Sequence, residues 1–595
     1  MTTALRLSAL RQLLKERDYH ALVIPRADEH LGEYIPLHNE RLLWATGFTG
    51  SAGTAVVLRE RAGIFVDGRY TVQVRQQVSA ADFSYHHLIE EPPLQWLLAS
   101  LEPGDRVAVD PRLHSLQWLR QTEAELTAAG LVLCLDTDNL VDRCWQDRPA
   151  AQVAPALLLE ESYTGESSVS KRSRIGAAVR ALGADGALVF APDSVSWLLN
   201  VRGRDIPCLP VLQSLALLWT DGSVDLVVEP ARMPGGWQEH CGADVRLHAP
   251  AAAEALLAAQ AGKRVLADPV TANAWSQRLL EQGGATLVAG TDPVIMPKAC
   301  KNPVEIAGAR SAHIRDGAAV VRFLAWLDGE QAAGRLHDEA ELADRLLDFR
   351  AGGEHFQGPS FDTISAAGSN AAMCHYNHRN GTPASLTPDS VYLVDSGGQY
   401  NDGTTDITRT VAIGDPGAEV RRLFTLVLKG HIALDRARFP KGTTGTHLDV
   451  LARQFLWREG HEYDHGTGHG VGAFLSVHEG PQRIAKAWAP VALQPGMIIS
   501  NEPGYYRNGA FGIRCENLVV VTEVAGELET PMYGFEALTL APFDRRLLDL
   551  TLLDTQELLW LDAYHQRVVS TVGPLLPAAE RAWLQQACAP LAGGS

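Results

Sequence analysis

Four carboxylates and a histidine in the C-terminal half of the chain have spacings that could build a metal site. The first pair lies in Tyr392-Leu-Val-Asp395-Ser-Gly-Gly398 and Asp402-Gly-Thr-Thr-Asp406-Ile-Thr-Arg-Thr-Val411. An apolar strand ends at Asp395, a glycine-rich turn follows, and a second strand begins at Asp406. Paired as a hairpin, these strands bring both carboxylates together near its open middle. Taken singly, Asp395 reads equally well as a solvated turn former, since Asp and Gly are common turn residues. The second pair is Glu502 and Glu516. Residues 497–506 and 511–521 read as strands, with the hairpin signal Asn508-Gly509 between them. A tight turn there sets Glu502 opposite Cys515, while one bulge or one extra loop residue sets it opposite Glu516. Like charges facing each other destabilise a sheet, so a positive group should sit between them. Arg514 is one candidate and a bound cation is the other.

The histidines favour the cation. Asp464-His465-Gly-Thr-Gly-His469-Gly-Val-Gly472 precedes His478-Glu479-Gly-Pro481. The alternating glycines fit neither the dinucleotide fingerprint nor the phosphate loop. They suit close backbone approach, letting His469 project into a confined site. His478-Glu479 does not open a zinc-protease helix, because Gln482 stands where the second histidine would be. Oxygen-rich ligation suits Mn2+, and one imidazole leaves Co2+, Fe2+ or Zn2+ open. Four carboxylates exceed what one catalytic ion needs. They point to two ions, roughly 3.5–4 Å apart, that share carboxylates and activate a water.

These residues need a large scaffold, and the chain supplies one. Its 595 residues suggest several domains, and 46% hydrophobic with 21% charged residues is ordinary for a soluble globular protein. A formal charge of −18 repels phosphate backbones, which excludes a primary nucleic-acid role. Eight scattered cysteines without a CxxC pair read as reduced thiols. No apolar run is long enough for a signal peptide or a membrane span, so a cytoplasmic protein is expected. An internal repeat precedes the carboxylates. A helix, a strand, a tryptophan and another strand at residues 5–16, 21–25, Trp44 and 54–59 recur at 171–184, 187–191, Trp197 and 215–219. The first copy carries the insertion EHLGEYIPLHNER before its tryptophan. The expected division is two α/β domains, 1–155 and 156–296, then an α+β domain, 297–595. In the third, helices are expected at 303–328, 338–349, 418–436 and 446–458, with strands at 361–413 and 497–523 and a helical tail.

The combination resembles the pita-bread metallopeptidases, most closely their aminopeptidase P (Xaa-Pro aminopeptidase) branch in its long, three-domain form. The resemblance covers nearly the whole chain. It is carried by GFTGSAGTAVV, VDGRY, SAHIRDG, SFDTISAAGSNAAMCHY, DSGGQYNDGTTDITRT, HGTGHGVGAFLSVHEGP, NEPGYY, GAFGIRCEN, FEALTLAPFD and WLDAYH. It implies two creatinase-like α/β domains followed by a pita-bread catalytic domain. It also implies that Asp395 binds one metal, that His469 and Glu502 bind the other, and that Asp406 and Glu516 bridge both. His375 and His478 match substrate-binding histidines, His465 a further active-site histidine, and Arg69 an arginine that contacts peptide. His469 and Glu502 face the substrate as well. The implied reaction releases the N-terminal residue from peptides with proline second, by attack of a metal-bridging hydroxide on the scissile carbonyl. Two divalent ions, Mn2+ first and Co2+ or Zn2+ next, and a homodimer are implied too.

Two other readings remain at this stage. A prolidase-type dipeptidase shares the five ligands, and a non-catalytic pita-bread module would bind peptide without cleaving it. Among weaker signals, Ser168-Val-Ser-Lys171 fits a nucleophile pattern that is common by chance. Taken alone, Arg69 reads as an exposed arginine in a DGR turn. Cys374 and Cys515 are expected on strands, pointing away from the site as structural thiols.

Overall fold

The computed structural model describes residues 1–526 and 528–591. The chain forms two compact units, residues 1–161 with 166–295, and 162–165 with the chain from 296 onward.

The first unit opens with helix Thr3–Glu16, whose N-cap Thr2 accepts from Leu5 N and whose Leu7, Leu10 and Leu14 are buried. Six strands then form one sheet: β1 (Ala21–Pro25), β2 (Thr54–Leu58), β3 (Ala62–Val66), β4 (Ser84–His87), β5 (Arg106–Val109) and β6 (Val132–Leu135). Six more form a second: β7 (Gly186–Val189), β8 (Leu215–Trp219), β9 (Val224–Val227), β10 (Val245–His248), β11 (Arg264–Ala267) and β12 (Thr286–Ala289). The strand orders are 4-3-2-1-5-6 and 10-9-8-7-11-12, the same topology twice. Pairing sense matches as well. β1 is antiparallel to β2 and parallel to β5, as β7 is to β8 and β11. The repeat seen in the sequence is therefore a repeat of the fold. The two halves touch through equivalent residues, because Ser115 and Asn273, each an N-cap, form an antiparallel bridge.

Inside this unit the nucleophile pattern dissolves into packing. Lys171 is buried with Nζ donating to Trp197 O (3.1 Å) and Asn200 Oδ1 (2.7 Å), 3.8 Å from the Trp197 ring centre. The insertion before Trp44 closes over buried Arg41, which donates to Glu29 and Asp142.

The second unit is built on helix Pro303–Ala332, started by a capping box between Asn302 and Glu305. Helix Glu339–Ala351 follows, N-capped by Asp338. A three-stranded sheet joins Ile364–Ala367, Ser390–Ser396 and Ile407–Ile413. A six-stranded sheet runs in the order Phe439–Pro440, Met532–Ala537, Asn517–Glu523, Ile498–Asn501, Gly468–Gly470 and Glu479–Ile484. Helices Gly417–Asp435 and Gly445–Trp457 bury Phe424, Val427 and Leu456 with Ile499, Val519 and Val521 of that sheet in one core. The tail adds helices Thr555–Val572 and Ala578–Ala587. This is the mixed α/β and α+β order expected from the sequence.

Candidate metal centre

Two hairpins and one short strand supply the five residues. Strand Ser390–Ser396 pairs with Ile407–Ile413 so that Asp395 faces Thr408 and Ser396 faces Ile407. Asp406 stands one residue before the second strand, beside the end of the first. The turn between them passes so close that a Cβ on Gly397 would lie 1.9 Å from Thr405 O.

The second hairpin resolves the register left open above. Gly504–Arg507 pairs with Phe511–Arg514, with Arg507 facing Phe511 and Gly504 facing Arg514. The loop is thus three residues, Asn508 to Ala510, with Gly509 at φ 71°. Beyond it Asn501 faces Asn517, so Glu502 stands opposite Glu516. The extra loop residue, not a tight two-residue turn, sets this register. Pro503, which has no N–H, breaks the ladder beside Glu502.

His469 sits mid-strand between Gly468 and Gly470, where a Cβ would lie 2.0 Å from Ser500 O and 2.3 Å from Glu479 O respectively. The glycines do serve close approach. His469 Nδ1 donates to Gly470 O at 3.0 Å, which leaves Nε2 as the free pole. Nε2 lies 3.5 Å from Asp406 Oδ2 and 3.4 Å from Glu502 Oε1. Asp406, His469 and Glu516 each offer a ligand atom, and these lie within 4.8 Å of one another.

Arg514 does not settle between the two glutamates. It donates from Nη2 to Asp395 Oδ2 (2.6 Å), from Nε to Thr408 Oγ1 (3.0 Å) and from Nη1 to Tyr506 OH (2.7 Å). The repulsion between Glu502 and Glu516 is left for a cation to relieve. Asp395 Oδ1 and Asp406 Oδ1 are buried without a hydrogen-bond partner among the described residues. Burial, with Asp395 and Glu502 adding to it and His469 opposing, pushes Asp406 up to about 7. Burial drives Glu516 well above the carboxylate range, reinforced by Asp406, Glu502 and Asp395. Burial pulls His469 down, but Asp406 and Glu502 outweigh it and hold the imidazole at about 9. Buried carboxylates with orphaned oxygens and an available imidazole pole fit hard divalent ions.

The other expected site residues fall into place unevenly. The His478 ring stands edge-on to His469, centroids 4.3 Å apart. His465 lies 2.8 Å from Tyr506 OH through Nε2, and its Nδ1 is 4.0 Å from Glu502 Oε2. His375 follows the 3-10 turn Gly368–Ala372, which packs on strand Phe511–Arg514, where a Cβ on Gly512 would lie 1.8 Å from Ala371 O. Its neighbour Cys374 is in a turn, not on a strand, and is half-buried with its charge felt by Tyr506. The expectation that Cys374 lies on a strand therefore fails. Cys515 is buried, and burial pushes it up to about 12. Arg69 lies in the first unit, in the turn Gly68–Tyr70. It is half-buried, not exposed, with Nε and Nη2 donating to Asp67 at 3.0 and 2.8 Å.

Sequence reasoning missed Thr408 and Tyr506. Thr408 Oγ1 donates to Glu516 Oε2 at 2.6 Å, and Tyr506 OH joins His465 to Arg514. Period-two alternation carried the signal, since Thr408 follows Asp406 by two residues and Tyr506 follows Glu502 by four.

Residues 307–523 match the metallopeptidase family M24, and 531–591 match the C-terminal region of that peptidase. Residues 6–144 and 147–305 each match a creatinase/prolidase N-terminal domain. A probable Xaa-Pro aminopeptidase P of Tuber melanosporum is 40% identical, covering 95% of both chains. One from Aspergillus niger is 39% identical over 99% of both. The crystal structure of X-prolyl aminopeptidase from Caenorhabditis elegans, described as a cytosolic enzyme with a di-nuclear active site, superposes with a TM-score of 0.94. It is 33% identical and covers 99% of this chain and 100% of its own. An Xaa-Pro dipeptidase from Bacillus anthracis, 23% identical with a TM-score of 0.52, shares the fold over 64% of this chain and 99% of its own. With creatinase-type N-terminal domains, an M24 domain and full-length relatives of one kind, the chain belongs to metallopeptidase family M24, in its Xaa-Pro aminopeptidase P branch.

Proposed function

We propose that this chain is a metal-dependent aminopeptidase that releases the N-terminal residue from peptides with proline in the second position. The observation that carries it is the group of Asp406, His469 and Glu516, with half-buried Glu502 beside His469 and buried Asp395 beside the end of the strand that follows Asp406, on a chain alike from end to end to Xaa-Pro aminopeptidases. We assign Asp395 to one ion, His469 and Glu502 to the other, and Asp406 and Glu516 to both. Mn2+ is the ion we favour, with Co2+ or Zn2+ as alternatives, because oxygen donors dominate the set. Such ions supply Lewis acidity and lower the pKa of a coordinated water towards neutrality.

The chain's own groups do the rest. Glu502, accepting from Ser500 Oγ at 3.0 Å, takes the proton of the attacking water and returns it to the leaving imino nitrogen. His478, fixed against His469, and His375 orient the peptide and donate to the developing oxyanion, worth about 3–4 kcal/mol for a single well-placed donor. His465 is held by Tyr506 at the rim of Glu502, where it meets substrate. We assign Arg69 to contact with the peptide, as in the long form of the family. We divide the chain into domains 1–155, 156–296 and 297–595 and read it as a cytoplasmic homodimer. Among the described residues no helix is long and apolar enough to cross a membrane.

The test is digestion of a defined Xaa-Pro-Yaa series with and without Mn2+, read by mass spectrometry. Loss of the first residue only when the ion is present supports the proposal. Cleavage confined to Xaa-Pro dipeptides would make it a prolidase, and no cleavage with any ion would make it a binding module.

A further inference from the structure

Behind the carboxylate cluster, between the C-terminal segment and strand Ile407–Ile413, lies a cavity of about 260 Å3. It is slightly smaller than drug-sized pockets, which run roughly 300–1,000 Å3. Its walls carry three arginines and two aspartates, a net positive lining in a chain of charge −18.

The charges are not evenly matched. Both aspartates are committed. Asp544 takes Arg546 at 2.7 Å and Ala412 N at 2.9 Å, and Asp328 takes Arg546 at 2.9 Å and Trp583 Nε1 at 2.9 Å. Arg409 has spent its donors on Pro542 O, Glu516 O, Ala541 O and the Asn517 amide oxygen. Arg545 is different. Among the described residues its only side-chain hydrogen bond runs from Nη1 to Gln586 O at a long 3.3 Å, and its buried Nε has no partner. No carboxylate reaches it within ion-pair distance among those residues. A guanidinium is a planar fork of donors matched to a carboxylate. Leu324, Val411, Phe543 and Trp583 complete the wall with apolar surface.

We propose that this cavity is a binding site for a small monocarboxylate with a compact apolar body. The carboxylate takes the terminal Nη2 of Arg545, and the body packs on Trp583, Phe543, Val411 and Leu324. Arg409 donates to Glu516 O, but none of Asp395, Asp406, His469, Glu502 and Glu516 lines this cavity, so it is separate from the proposed metal centre. A neutral ligand of the same shape leaves Arg545 unsatisfied, and a cation meets Arg545 and Arg409 unshielded, so the site selects for the anion.

The test is calorimetric titration of the metal-loaded full chain with 3-phenylpropionate, beside 3-phenylpropanol. Saturable binding of the acid is expected, at least tenfold weaker for the alcohol and at least tenfold weaker in Arg545→Met, as befits one charge-assisted contact. Ala587→Phe, which fills the cavity without removing a charge, is expected to abolish binding while leaving peptide hydrolysis intact. Absence of binding, equal binding of the alcohol, or unchanged binding in both variants overturns the proposal. So does full displacement of the acid by an Xaa-Pro-Yaa peptide, which would put the carboxylate on the metal centre.

Discussion

Stripping the divalent ions should give a catalytic unit that becomes more stable as pH falls from 8 to 5. Asp406 titrates near 3.9 in an unfolded chain and is pushed to about 7 in the fold. Its folded pKa is raised, so across that interval the native state holds the extra proton. Stability then declines as pH rises, and the full penalty is present above about 7. Of the span between the two pKa values, about two pH units lie above pH 5, and at 1.36 kcal/mol each they give about 2.7 kcal/mol between pH 5 and 8. Glu516 pushes the same way and shares its protons with Asp406, so the total belongs to the cluster. At roughly 2 °C per kcal/mol for a unit of this size, the melting temperature should move by about 5 °C between pH 5 and 8. Scanning calorimetry of chelated protein at pH 5, 6, 7 and 8 measures it. Asp406→Asn, nearly isosteric and neutral, isolates the cluster from background titration. The chelated variant should melt well above chelated wild type at pH 8, and the gap should narrow towards pH 5. With ions restored the order should reverse, because only the wild type gains the full binding energy. Equal melting of the two chelated proteins at pH 8 would refute the account of buried like charges.

Three further outcomes follow from the geometry. Loaded with Mn2+, Asp406→Asn should lose at least one ion by elemental analysis and its turnover with it; unchanged metal content would refute a bridging role. His478→Ala should lower kcat by about 10²–10³ with both ions retained, the cost of one oxyanion donor; metal loss instead would make His478 a ligand. Glu479 lies buried between Lys298 at 2.8 Å and Lys301. Glu479→Gln should therefore cost about 3–5 kcal/mol in urea unfolding by stranding two buried cations, whereas Lys301→Met, which leaves one matched pair, should cost much less. Equal losses would show that packing, not charge, governs that cluster.

What the sequence discloses is local. Strand ends, alternating glycines and the Asn-Gly turn put all four carboxylates and His469 on hairpins or a short strand, because those signals act within a few residues. The repeat was legible for the same reason, since each copy writes its helix and strands in order. The partner of Arg514 was not legible. Asp395 is 119 positions away, and no local periodicity joins them. The same holds for Arg409, whose acceptors other than Thr408 O lie 107 to 155 positions away. The hairpin register turned on a single loop residue, which Asn-Gly does not decide when alanine follows. Cys374 was misread because a 3-10 turn interrupts what composition presents as a continuing strand.

The two hairpins that carry the proposed ligands also set an order of events during synthesis. Asp395 and Asp406 leave the ribosome about a hundred residues before Glu516. Until the second hairpin arrives, Asp395 and Asp406 lack Glu502 and Glu516 as neighbours. Arrival of Glu502 and Glu516 creates both the burial and the repulsion that a cation relieves. Ion capture is thereby tied to completion of the polypeptide. A chain stopped short of the Asn508-Gly509 turn carries Asp395, Asp406, His469 and Glu502 but lacks Glu516, so under the proposed assignment the set closes only in a finished catalytic unit.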